Sequence, residues 1–514
     1  MIKSLGAMFP TLRNAELPEI TMTLSLATAP APAAQSSPLP SLTPPRLDSC
    51  DRASLAQYFQ NTWALEEWLL QTVVGEAPWY AQPDRLRNPL VFYLGHCPSF
   101  YVNKLHQAGL LAQPIDPALE QLFGIGVDPD TPAELEAVIG GLQWPSLGQV
   151  WAYRATVREV VAAVIDRSEL DGPITPDSPL WSLMMALDHS RVHVETSSML
   201  LRQLPPEHLQ RPQDWVYAPD RPAPPANPWK ELEGGWVTLG KPWTDAYYGW
   251  DMDYGHRQVE VAPFAASAYL VSNQEFLAFV EAGGYRNPAY WDGKGWAWVQ
   301  GIDRDYPAFW VPQGWEAGGA ARSAASQVLE SRSLGLQAAE ARSATPRYGY
   351  RTVFEVIAMP WGWPVEVNHY EAMAFCRWKG EGVRLLTEAE WTWALGSVDS
   401  RSAEFWDLEA HNLNLTYGSP STVGSIATAK GAAGLYDLRG NVWEWLGDSF
   451  NPLPGFEAHE LYPDHAQLYF DADHFMMMGG SWISNGAMAA PTYRNWFRPQ
   501  FYQHAGFRLA QSLG

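Results

Sequence analysis

Between residues 50 and 213, apolar side chains recur every three or four positions, the period of a helix face laid against a core. Four stretches carry the pattern: SLAQYFQNTWALEEWLLQTVV, NPLVFYLGHCPSFYVNKLHQAG, SLGQVWAYRATVREVVAAVID and PLWSLMMALDHSRVHVETSSMLLRQL. The last runs into Pro205 and Pro206, where a helix stops because proline lacks the N–H and clashes with the preceding turn. Four long amphipathic helices predict a helical bundle over 49–213. A proline-rich stretch, 214–230, reads as a semi-rigid linker. From 231 to 514 the pattern shifts to short β-type runs (GGWVTLG, RQVEVAPFAASAYLVS, GVRLLTEAEW, GLYDLRGNVWEW, MMMGGSW, AGFRLA) separated by Gly, Pro, Asn and Trp. Two helical pieces, NQEFLAFVEAGG and NHYEAMAFCRWKG, interrupt them, so an α+β domain follows the bundle. Residues 1–48, rich in Ala, Pro, Ser and Thr, are expected to form a disordered tail, and 316–345, rich in Ala and Ser, a mobile insertion.

Composition narrows the function classes. A chain of 514 residues is too long for one core, which agrees with two folded domains. The 26 tryptophans call for much aromatic packing among loops. A net charge of −22, with no cluster of Lys and Arg, argues against nucleic acid and against an anionic membrane as partner. The cysteines Cys50, Cys97 and Cys376 form no C-x-x-C and no disulfide framework, so a reducing cytoplasm is expected. No apolar run reaches transmembrane length and no secretory leader is recognised.

The fourth helical stretch holds His189 and His193 one turn apart on one face, where two imidazoles can share an ion. His96, on the second stretch, offers a third nitrogen, and facing helices of a bundle are a common place for such a site. Three neutral imidazoles suit iron, zinc, copper or nickel. Surface histidines, or hydrogen-bonded core histidines, remain the rival reading of the same spacing. Glu195 lies ~200° round the helix from His193 at ~100° per residue, so it is expected to orient a ligand or to pair with an arginine instead of binding the ion. Cys97 points away from its neighbour His96 and is read as a buried structural thiol.

GLYDLRGNVWEW (434–445), MMMGGSW (476–482) and AGFRLA (505–510) resemble the sulfatase-modifying-factor domain, a C-type-lectin-like fold of the formylglycine-generating-enzyme type. The formylglycine-generating branch uses a late cysteine pair, and this chain has no cysteine after Cys376. The sulfoxide-synthase branch places a DinB-like, iron-binding four-helix bundle before that domain. PLVFYLGHCPSFYVNKL, HVETSSMLLRQLP, MPWGWPVEVN and YRNWFRPQFYQHAGFRLA are similar to the 5-histidylcysteine sulfoxide synthases of ovothiol biosynthesis.

That resemblance implies Fe(2+) held by His96, His189 and His193, with histidine, cysteine and O2 as substrates. It implies a tyrosine acid upstream of the GGSW turn, with Tyr462 first and Tyr469 second. Substrate contacts are expected from Tyr493, Asn495, Trp496 and Phe497, and from Arg85 and Arg87 as carboxylate clamps. The related ergothioneine-type enzymes act on trimethylhistidine and typically carry Asn-Trp-Asp where this chain has Asn495-Trp496-Phe497. No methyltransferase domain follows GFRLA, so a separate methyltransferase is expected downstream, and GIGVDPDTPAELEAV departs from the family pattern. Other readings are the same chemistry on trimethylhistidine or with a selenium donor, a zinc-dependent DinB-like thiol transferase, and a non-catalytic lectin-like binding module.

Overall fold

The computed structural model describes residues 41–224, 226–312, 348–397 and 399–513. Both the expected insertion at 316–345 and residues 1–40 of the expected tail lie outside them.

The bundle helices are α1 (Arg52–Leu70), α2 (Leu90–Gln107), α3 (Leu147–Arg167) and α4 (Trp181–Gln203). Asp51 caps α1 by accepting from the Ser54 N–H, and Ser146 with Gln149 forms a reciprocal capping box on α3. Pro98 sits inside α2 and has no N–H to give the carbonyl of Leu94. Arg154 of α3 donates to that oxygen at 2.8 Å and pairs with Glu66 of α1 at 3.2 Å, so one buried guanidinium ties three helices together. Of two shorter helices, Pro117–Phe123 precedes the segment that departs from the family pattern and Pro132–Ile139 forms its end.

The second domain contains β1 (Trp229–Leu232), β2 (Gly235–Leu239), β3 (Arg257–Val261), β4 (Phe264–Ser267), α5 (Asn273–Glu281), β5 (Trp310–Pro312), β6 (Tyr348–Arg351), β7 (Val356–Ala358), α6 (His369–Lys379), β8 (Val383–Arg384), α7 (Glu388–Leu395), β9 (Trp443–Ser449), β10 (Phe475–Met478), β11 (Asn495–Phe497), β12 (Ala505–Gly506) and β13 (Ala510–Ser512). One sheet has the order β1-β4-β13-β8 and another β11-β10-β9-β12, in which β12 runs parallel to β9 with Ala505 opposite Trp443. GVRLLTEAEW, expected as a β-type run, is mostly not strand. Only Val383–Arg384 is extended, and Thr387 with Glu390 forms a capping box that starts α7.

Helix α4 is buried almost all round, because one face meets the bundle and the other meets the second domain. Its polar residues make the junction. Glu195 accepts hydrogen bonds from Trp443 Nε1 at 2.6 Å, Ser481 Oγ at 2.8 Å and Ser484 Oγ at 2.6 Å. Asp188 accepts from the Ala487 N–H and from Trp250 Nε1, each at 2.7 Å. Arg202 pairs with Glu366 at 2.7 Å. Gly486 has φ +63°, and a Cβ there would lie 2.7 Å from Asp188 Oδ1, so only glycine admits this approach. The linker follows the same seam, with Trp215 donating to Gly418 O at 2.8 Å.

Residues 41–48 correct the expected tail boundary. Arg191 donates to Ser41 Oγ at 2.8 Å, Leu47 N–H donates to Ala246 O at 2.7 Å, and the Leu47 side chain is buried. Apolar Leu42 and Leu47 at the tail's end bury themselves between the domains, which a composition average over the tail obscures.

Replacing Glu195 with alanine leaves three buried donors without an acceptor, at ~1–3 kcal/mol each. Glu195→Ala is expected to lower the thermal midpoint by several degrees, and Glu195→Gln by less, in calorimetry of the full chain.

Candidate metal centre

His96 is placed by three local features of α2. Gly95 beside it allows the Phe123 ring to close in, since a Cβ there would meet that ring at 2.3 Å. The Phe123 carbonyl then lies 2.6 Å from His96 Nδ1, which donates to it. In a neutral ring this fixes the tautomer and leaves Nε2 as a bare lone pair. Phe92, one turn earlier, stacks on the imidazole at 4.8 Å between centroids.

From α4, His189 and His193 project to the same point. The ring centroids are 4.9 Å apart for His96–His189, 4.7 Å for His96–His193 and 4.4 Å for His189–His193. One nitrogen from each lies within 4.8 Å of the others, and His96 Nε2 is 3.2 Å from His189 Nε2. Two nitrogens each ~2.1 Å from one ion stand ~3.0 Å apart at a right angle and ~3.4 Å apart in a tetrahedron. The observed separation falls between these. His189 Nδ1 and His193 Nδ1 are buried without a hydrogen-bond partner among the described residues. That spacing fits a divalent ion held by three imidazoles. Among the described residues this is the only cluster of His, Cys, Asp or Glu that fits a metal.

Burial pushes His96 down to about 4, and His189 and His193 well below the usual imidazole value. The neighbouring imidazoles add to the effect on His189 and His193. Neutral imidazole is the metal-binding form. Glu195 faces the second domain, bonded to Trp443, Ser481 and Ser484, so it neither joins the cluster nor pairs with an arginine. Burial raises the Cys97 thiol well above its usual value.

Phe100 stacks on His189 at 3.7 Å, and the Tyr462 ring lies 5.4 Å from Phe100. Burial, with Asp464 and Asp251 nearby, raises the Tyr462 phenol to about 12. Lys104, not singled out from sequence, holds this tyrosine. It lies two turns beyond His96 on α2, donates to Leu461 O at 2.5 Å and sits 4.4 Å over the Tyr462 ring. An apolar helix interrupted by one buried lysine was the available signal.

The other candidate residues divide into three places. Arg87 stands near His193, with its guanidinium 4.3 Å over Phe501 and 5.6 Å over Phe497, and it has no ion pair among the described residues. Arg85 is exposed. Tyr469 stacks on Trp496 at 4.0 Å and lies 5.0 Å from His474. Asn495 Oδ1 accepts from the Trp496 N–H at 2.9 Å, and Tyr493 is buried beside Trp443. Arg498 clamps Asp128 at 2.8 Å and Asp130 at 2.6 Å, which fastens the divergent bundle segment to the second domain.

A bundle bearing three convergent imidazoles, joined to a lectin-like domain that closes over them, defines a two-domain protein with a candidate metal centre at its junction. The chain belongs to the family of the sulfatase-modifying factor enzyme 1-like domain, whose model matches residues 225–513. Over 445 residues it is 28% identical to a hercynine oxygenase of Mycolicibacterium thermoresistibile, covering 84% of this chain and 88% of that one. A hercynine oxygenase of Mycobacterium tuberculosis is 28% identical over 84% of this chain and 93% of its own length. Ergothioneine biosynthesis protein 1 of Neurospora crassa is 23% identical over 88% of this chain, which spans 57% of that protein.

Because His96 ionises at about 4 when folded and at 6.5 when exposed, the unfolded metal-free chain binds more protons between those values. In metal-free protein the contribution of His96 to stability is expected to be fully present above about pH 6.5 and to be lost as pH falls to about 4. His96→Phe should flatten that slope in thermal unfolding across the pH series.

Proposed function

We propose that this chain is an iron-dependent oxygenase that joins a cysteine-type thiol to an imidazole amino acid and leaves the sulfur as a sulfoxide. The observation that carries the reading is the convergence of His96, His189 and His193 at the domain junction. The reaction balances as thiol plus imidazole C–H plus O2 giving the C–S sulfoxide plus water. Forming the C–S bond and oxidising the sulfur each release two electrons, and O2 accepts all four.

Iron(II), held by the three imidazoles, would acidify the thiol and pass electrons to O2. The protein's own groups do the rest. Arg87 has an uncommitted guanidinium whose planar fork matches a substrate carboxylate. Tyr462, held protonated at neutral pH and packed on the Phe100 ring that covers His189, supplies a proton. Lys104 holds the Leu461 carbonyl and the Tyr462 ring in place. Phe100 and Phe92 shield the imidazole faces from water.

The relatives' names support hercynine, the trimethylated form of histidine, as the imidazole substrate. A second reading takes histidine, as in ovothiol-type synthesis. One observation favours it: Phe497 replaces the aspartate typical of the trimethylhistidine branch, and its ring faces Arg87 with no anion between them.

The test is aerobic incubation of iron-loaded protein with cysteine and either imidazole, read by O2 consumption and product mass. The expected product weighs the two substrates plus one oxygen minus two hydrogens. Absence of O2 uptake, or equal turnover by zinc-loaded protein, overturns the reading.

Tyr462→Phe is expected to cut sulfoxide formation by ~10²-fold or more while the iron content is unchanged. Arg87→Ala is expected to raise a substrate KM by ~10-fold or more, because it deletes a charge-assisted carboxylate contact.

A further inference from the structure

A crevice has Tyr462 in its wall. Met185, also in the wall, precedes His189 by one turn of α4, ~6 Å along the axis. Tyr462 therefore joins the crevice to Phe100, the ring stacked on His189. The remaining lining is aromatic. Trp181 and Tyr248 lie 5.0 Å apart, Tyr248 and Trp250 5.7 Å apart, and His465 stacks on Trp250 at 4.1 Å.

One charged group lines this aromatic space, apart from the histidines. Asp251 is 5% exposed, and its Oδ1 is 3.1 Å from His465 Nδ1. Its Oδ2 is buried and has no hydrogen-bond partner among the described residues. The nearby cations are committed elsewhere: Lys241 donates to Tyr247 O at 2.9 Å, Lys104 to Leu461 O at 2.5 Å, and Arg494 pairs with Glu388 at 2.6 Å. A buried carboxylate oxygen left without a donor is costly, and ring faces attract cations.

We infer that the crevice binds the cationic α-nitrogen of the imidazole substrate, with Asp251 as its counter-ion and the Trp and Tyr rings as its walls. Oδ2 needs an N–H donor, which a primary ammonium has and a trimethylammonium lacks. The site is accordingly assigned to a primary ammonium, two carbons from the imidazole ring. This rests on the function proposed above and deepens it, because it sets the choice between histidine and its trimethylated form.

The test is calorimetric binding to the iron-loaded full chain without oxygen, using histidine, trimethylhistidine and imidazole-4-propionate, which keeps the ring and carboxylate but has no amine. Histidine is expected to bind at least tenfold more tightly than imidazolepropionate. Asp251→Asn should abolish that preference and leave imidazolepropionate binding unchanged. In turnover, the same variant should raise KM for the imidazole substrate while leaving kcat and the thiol KM alone. Equal binding of histidine and imidazolepropionate by the unaltered protein overturns the inference whether or not the variant folds. An equal loss of histidine and trimethylhistidine affinity in Asp251→Asn overturns the primary-ammonium assignment. Methylammonium chloride separates the inference from the function it rests on. Saturable quenching of tryptophan fluorescence that Asp251→Asn removes upholds the crevice even if no imidazole turns over, and its absence counts against the crevice alone.

Discussion

The arrangement depends on a buried carboxylate that has no cation partner among the described residues. Glu195, two residues beyond His193, takes three hydrogen bonds from Trp443, Ser481 and Ser484 of the second domain. A desolvated charge of this kind tolerates little displacement, because each donor lost leaves a polar group stranded in a dry interface. The contact therefore fixes the rotation of α4 about its axis. That rotation aims His189 and His193 at His96 while their helix docks on the lectin-like domain. Asp188 and Arg202, on the same helix, fasten it on either side of Glu195.

With that helix fixed, labour divides between the domains. The bundle supplies all three imidazoles, and its internal features serve to point them. Gly95 lets Phe123 approach, the Phe123 carbonyl orients His96, and Arg154 restores the hydrogen bond that Pro98 cannot make. The lectin-like domain supplies the groups proposed to face substrate: Tyr462, the Phe497 and Phe501 rings under Arg87, and Asp251. Neither domain alone holds both sets.

Much of the bundle was legible in the chain because a helix face repeats at a fixed period and two histidines one turn apart must share it. His96 was legible as a third nitrogen on a neighbouring helix, since bundle helices face one another. The second domain was legible by resemblance more than by pattern. Its strands are short, and GVRLLTEAEW shows how a capping box can be mistaken for a strand when its residues also suit a β-run. Lys104, Arg498 and Asp251 escaped sequence reading because each acquires its role from a partner hundreds of residues away or, for Asp251, from the lack of one.

The amino-acid sequence by itself determined the two-domain order and the four bundle helices, which follow from local periodicity, and it offered three imidazoles that the family resemblance joined into one set. Only the tertiary structure decided what Glu195 binds, where the apolar end of the tail goes, and which polar groups surround Tyr462. Those are contacts between segments far apart in the chain. Their geometry is set by how two separately patterned domains pack together, and no local spacing encodes that packing.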